Sequence, residues 1–122
     1  MIADLVARAL AEDVGVGDIT TVATVPEGAR ARALIIQKAP GVVFGLDAAE
    51  TCFRTLDTNV LLRRLAEERE WREGGDVLTI EGLARPIMTA ERTALNFLQR
   101  LSGVATMAAQ CVRAVRRHGR HT

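Results

Sequence analysis

The chain is poor in the residues on which several kinds of chemistry depend. It has no tyrosine, one tryptophan and three phenylalanines in 122 residues, so a platform for stacking nucleobases is hard to assemble. Lys38 is its only lysine, which all but excludes Schiff-base chemistry or a lysine cluster on phosphate within this chain. The two histidines sit near the C-terminus, and Cys52 and Cys111 form no Cys-x-x-Cys pair, so no zinc site forms at the usual ligand spacings. Cys52 and Cys111 read as two reduced core thiols. No uninterrupted apolar segment resembles a signal peptide or reaches a membrane span, and the expected location is the cytoplasm.

The 48% of hydrophobic and 25% of charged residues give the balance of one globular domain. The length is too short for a complete (β/α)₈ barrel, which typically needs ~250 residues. Sixteen basic and fifteen acidic residues leave a net charge of +1, which gives no global attraction to nucleic acid or membrane.

Ile2, Leu5, Val6, Ala9 and Leu10 share one face of a predicted helix over 2–12, broken by Gly15 and Gly17. Residues 12–21 read as a turn-rich connector. A turn at Pro26 and Gly28 precedes a strand over 31–39, and Pro40-Gly41 reads as a hairpin turn into Val42, Val43 and Phe44. Asp47 and Glu50 have capping-box spacing at the head of a short helix whose buried stripe is Ala49, Cys52, Phe53 and Leu56. Strands are predicted over 59–65 and 76–80, separated by a charged loop in which Trp71 is either a half-buried lid or a surface contact. From Pro86 a helical pattern carries Ile87, Ala90, Ala94, Leu98 and Leu101. Ser102-Gly103 is expected to interrupt it before a second amphipathic run carrying Val104, Met107, Ala108, Cys111, Val112 and Val115. The predicted class is α+β, an antiparallel sheet layered with helices.

Three groups could carry chemistry. Arg92 shares a helix face with Asn96 and Gln99, and a guanidinium on a rigid helix can grip a carboxylate or phosphate through two parallel hydrogen bonds. The pattern alone equally suits a solvated arginine paired with Glu91. Glu12, Asp13 and Asp18 could hold Mg²⁺ or do acid–base work, but capping and turn geometry account for them as well. The basic run Arg113, Arg116, Arg117, His118, Arg120 and His121 could meet phosphates or simply complement a helix C-terminus.

ALAEDVGVGDITT (9–21) and AERTALNFLQRLSGVAT (90–106), with GGDVLTIEG (74–82) between them, together resemble the quinolinate phosphoribosyltransferases over essentially the whole chain. The resemblance implies an N-terminal α/β sandwich domain over 1–103, for substrate capping and dimerisation. It also implies a helix over 104–122 leading towards a C-terminal α/β barrel that the chain lacks. It implies an enzyme, a pentosyltransferase converting quinolinate and phosphoribosyl pyrophosphate to nicotinate mononucleotide, pyrophosphate and CO₂ in NAD synthesis. Mg²⁺ would assist in the complete enzyme, with no cofactor or metal bound by this chain alone. Glu91-Arg92-Thr93 matches the family's Glu-Arg-Thr motif, so Arg92 inherits substrate binding in the partner subunit's barrel of a homodimer, with Asn96 as support. Asp18 and Thr20 inherit a structural role, and no catalytic residue is assigned. The chain alone is expected to be inactive, binding neither nucleic acid nor membrane. Two alternatives stand: a free-standing dimerisation or capping module, and a related phosphoribosyltransferase-like protein with another ligand, such as the family's molybdenum-associated relatives.

Overall fold

The computed structural model describes residues 19–119 apart from Gly28. The helix expected over 2–12, the carboxylates Glu12, Asp13 and Asp18, and Arg120 and His121 lie outside the described residues.

Strand β1 (Ile19–Glu27) pairs antiparallel with β2 (Arg30–Gln37), Ile19 facing Gln37 and Thr24 facing Arg32. The residues read as the end of a connector therefore begin a strand. Ile19-Thr20-Thr21-Val22 is β-branched throughout, which suits extended backbone. β2 in turn pairs with β6 (Gly75–Leu83), and β6 with β4 (Leu61–Arg64), giving the order β1-β2-β6-β4. Gly74 and Gly75 enter β6 at φ of 146° and 115°, backbone that glycine adopts without a Cβ penalty.

The turn at Pro40-Gly41 does not make a hairpin. β3 (Gly41–Val42) leaves the main sheet and pairs instead with β5 (Trp71–Arg72), inside the segment read as a charged loop. Gln37 fixes this departure, because its Nε2 donates to the carbonyls of Ala39, Gly41 and Arg72 at 2.9–3.3 Å.

Helix α1 (Leu46–Leu56) buries Ala49, Cys52 and Phe53 as expected, whereas Leu56 is exposed at the last turn. Its cap differs from the expected box. Asp47 lies inside the helix, and Gly45 holds the N-cap position at φ 103°. The carboxylate that caps comes from Glu68, whose Oε2 accepts from the backbone N–H groups of Gly45 and Leu46 at 2.7 and 3.0 Å. A carboxylate there satisfies two orphan donors and meets the positive end of the helix dipole.

Helix α2 (Ala84–Gly119) runs for 36 residues, about 54 Å at the rise of an α-helix. It passes through Ser102-Gly103 without a break, in contrast to the two helices expected. Ser102 is absorbed because its hydroxyl donates to the Phe44 carbonyl and accepts from the Phe44 N–H. The core lies between one sheet face and the two helices. Ala33, Ile35, Leu78 and Ile80 meet Ala49, Cys52 and Phe53 of α1 and Ile87, Ala90, Ala94 and Leu98 of α2. The observed class is α+β with an antiparallel sheet, as expected.

Candidate functional site

The first half of α2 is held on one side by its apolar stripe, and this fixes what the other side presents. Ala90 and Ala94 are fully buried, and Arg92, roughly opposite them, is exposed. Thr93 and Asn96 are buried at 4% and 7% exposure, so Arg92 projects from a segment whose neighbours are packed. Burial pushes the half-buried Glu91 carboxyl above its ordinary range, while the adjacent Arg92 charge pulls the other way. Gln99, two turns beyond Arg92, donates through Nε2 to the Ile19 carbonyl at 2.8 Å and ties the start of β1 to the helix. The three side chains singled out on the face thus differ in reach: Arg92 meets solvent, Gln99 is half-buried and Asn96 is inside.

An arginine on such a helix can present a planar fork of N–H donors to a carboxylate without first being ordered by its ligand. Among the described residues no group of three or more His, Cys, Asp or Glu side chains is placed to hold a metal ion. Cys52 is buried, and burial pushes its thiol up to about 12, which removes it as a nucleophile. Cys111 is exposed and free rather than a core thiol, because it lies on the second half of α2, where no described element covers it. Trp71 is half-buried: the Arg113 guanidinium stacks 4.3 Å from its ring centre, and its Nε1 donates to Glu73 at 2.7 Å. Part of the basic run is thereby used inside the molecule. Among the described residues no helix is long and apolar enough to cross a membrane.

The charged centre that sequence reasoning missed is Arg64. It sits on edge strand β4 and reaches Asp47 and Glu50 of α1, with Glu50 at 2.8 Å and Glu68 at 3.5 Å. The hydrogen bond to Glu50 leads in pushing the Arg64 pKa up, ahead of the opposing effect of burial. Glu50 and Asp47, read as a capping box, are instead the anchors of this arginine. A signal was present in the sequence, since a carboxylate amid Ala48, Ala49, Cys52 and Phe53 needs a partner. That partner lies fourteen residues away, beyond local patterning.

The family model for the quinolinate phosphoribosyl transferase N-terminal domain matches residues 18–102. The chain belongs to this family. It is 38% identical over 117 residues to the carboxylating nicotinate-nucleotide pyrophosphorylase of Mycobacterium leprae, covering 93% of this chain and 41% of that protein. It is 40% identical over 106 residues to a probable enzyme of the same name from Methanocaldococcus jannaschii, covering 87% of this chain and 36% of that protein. Among solved structures, NadC from Streptococcus pyogenes superposes with a TM-score of 0.76 at 33% identity, over 93% of this chain and 42% of that one. The chain thus spans about two-fifths of the length of these relatives. The family domain includes Glu91-Arg92-Thr93 and ends at Ser102, inside the continuous helix α2.

Proposed function

We propose that this chain acts as the N-terminal domain of a quinolinate phosphoribosyltransferase, with Arg92 as its substrate-gripping residue. The observation that carries the reading is that Arg92 is an exposed residue on a helix whose neighbouring Thr93 and Asn96 are buried, within a domain of this family. Quinolinate is a planar dicarboxylate, and a guanidinium fork matches a carboxylate in charge and geometry. In the complete reaction the ring nitrogen attacks the anomeric carbon of phosphoribosyl pyrophosphate. Pyrophosphate leaves, and loss of the 2-carboxylate as CO₂ gives nicotinate mononucleotide. Arg92 would act in the barrel of a partner subunit of a homodimer, orienting the substrate rather than moving a proton, with Asn96 supporting its position. The expected segments, a capping domain over 1–103 and a leading helix over 104–122, belong to this proposal, as does a cytoplasmic location. Mg²⁺ would accompany phosphoribosyl pyrophosphate in the complete enzyme. Among the described residues no group of three or more His, Cys, Asp or Glu side chains is placed to hold it.

The test uses a complete enzyme carrying this domain. Arg92→Ala should weaken quinolinate binding by about a hundredfold, the loss of a charge-assisted bidentate pair. Arg92→Lys should recover little of it, because a point charge does not reproduce the fork. The chain by itself should form no nicotinate mononucleotide. Unchanged quinolinate affinity in Arg92→Ala returns Arg92 to a solvated helix residue and overturns the reading.

A second reading has one observation in its favour. Val104, Met107, Val112 and Val115 are 48–69% exposed along the second half of α2, an apolar stripe of the kind that marks an interface. On that reading the chain is a non-catalytic dimerisation module.

A further inference from the structure

A serine–glycine pair is a common place for a long helix to kink, and α2 carries Ser102-Gly103 near its middle. A Cβ on Gly103 would meet nothing within 4 Å, so no packing at that residue keeps the helix straight. The restraint comes from the adjoining turns, which are fastened to the two-stranded ribbon of β3 and β5. The Ser102 hydroxyl accepts from the Phe44 N–H at 3.0 Å and donates to the Phe44 carbonyl at 3.2 Å. One turn on, the Thr106 hydroxyl accepts from the Val42 N–H at 2.9 Å and lies 3.5 Å from the Val42 carbonyl. Two turns further, Arg113 stacks on Trp71 of β5.

The spacings of the two partners agree. Residues four apart on a helix rise about 6 Å, and alternate residues of extended chain lie about 6.6 Å apart. Two hydroxyls on one side of α2 therefore meet two alternate residues of the chain leaving β3. Between them the Val43 carbonyl accepts instead from the Arg69 N–H at 3.2 Å, as the alternation of extended backbone requires. A Cβ on Gly41 would lie 2.6 Å from Thr106 Oγ1, which shows how closely the ribbon approaches the helix.

This bracket sits where the matched family domain stops, at Ser102. In the reading proposed above, α2 leads from the domain bearing Arg92 towards the rest of a larger enzyme. From Gly103 to Gly119 the helix runs about 24 Å, and a kink of about 20° at Gly103 would displace its far end by about 8 Å. Misplacement of a substrate-holding group by about 1 Å is already costly. Resting on that reading, we propose that Ser102 and Thr106 are positioning residues. They lock α2 onto β3, hold Arg92 at a fixed place relative to the rest of the enzyme, and so set quinolinate affinity without touching the substrate.

Two measurements test this, one on the chain and one on a complete enzyme carrying it. In the full chain with Cys111→Ser, spin labels at Thr55→Cys and Arg116→Cys report the placement of the helix end. Cys52 is buried with its thiol pushed up to about 12, and takes up no label. The otherwise unaltered chain should give one narrow distance; Ser102→Ala with Thr106→Val should broaden it by several ångströms, whereas Thr106→Ser keeps it narrow. Thr106→Val alone, which preserves shape and removes the hydroxyl, carries this measurement should the double variant lose helix by circular dichroism. In the complete enzyme Thr106→Val should raise the quinolinate KM at least about fivefold and leave that for phosphoribosyl pyrophosphate within about twofold. Thr106→Ser should restore it. A merely structural role would lower the amount of active enzyme and leave both KM values in place. An unchanged distance distribution, an unchanged quinolinate KM, or both KM values rising together would each overturn the proposal. Arg92→Ala judges the domain reading separately: quinolinate binding lost there but kept in Thr106→Val removes the positioning role alone.

Discussion

At the scale of single residues, the informative side chains are charged groups only partly in water. Glu91 has its carboxyl held above the ordinary value of 4.5, chiefly by burial. The folded protein therefore keeps this proton at pH values where the unfolded chain has released it. Its contribution to stability is fully present below pH 4.5 and is lost as pH rises through the raised value. Glu91→Gln should accordingly raise the melting temperature at pH 7, and the difference should disappear below about pH 4.5, as followed by thermal unfolding across that range. Arg64 makes the opposite case, because its positive charge is required by what it touches. The Glu50 side chain is only 9% exposed, so Arg64→Met should destabilise by about 1–3 kcal/mol in urea unfolding by leaving that carboxylate without its main donor. Asp47 reaches the same guanidinium from a side chain that is 74% exposed, and Asp47→Ala should cost less than about 1 kcal/mol. Equal losses in the two variants would show that burial does not set the scale at this site.

At the scale of elements, the long helix α2 gathers most of what matters. Its first half is packed through Ile87, Ala90, Ala94 and Leu98, and close approach to the β3 region continues the packing past the expected break. A Cβ on Gly45 would lie 3.1 Å from Leu101 Cβ, and with φ at 103° the chain before α1 is best made of glycine where it touches α2. Further along, the stack of Arg113 on Trp71 ties β5 to a stretch of helix whose apolar residues are exposed. Trp71 is the chain's only tryptophan, so its emission reports this one place in the fold. Arg113→Ala should change the Trp71 emission and speed amide exchange over residues 107–117, with a loss of about 0.5–1 kcal/mol. Unaltered emission would mean that the stack does not persist in solution. The apolar faces of both helices and the strands β2, β4 and β6 were legible in the sequence, since periods of 3.6 and 2 depend on near neighbours. β1 was not legible, because threonine and glycine beside its start have the composition of a turn.

For the whole molecule, the question is what covers the apolar stripe Val104, Met107, Val112 and Val115. If this chain serves within a larger enzyme, the stripe has no covering surface when the chain is alone, and sedimentation should show polydisperse association. Replacing Met107 and Val115 with glutamate should then restore a monomer without loss of helix. A single discrete dimer, dispersed by the same substitutions, would instead favour the free-standing module. Family membership was readable from two short strings and their order, because a motif is a local property of the chain. The order of the sheet, the separate pairing of β3 with β5, and the capping of α1 by Glu68 from 22 residues away were decided by the tertiary structure. So was the continuity of α2 through Ser102, satisfied by Phe44 at a separation of 58 residues. The reason is the same in each case: a hydrogen-bonding group is satisfied by whatever the fold brings to it, and a partner far along the chain leaves no periodic trace in the sequence.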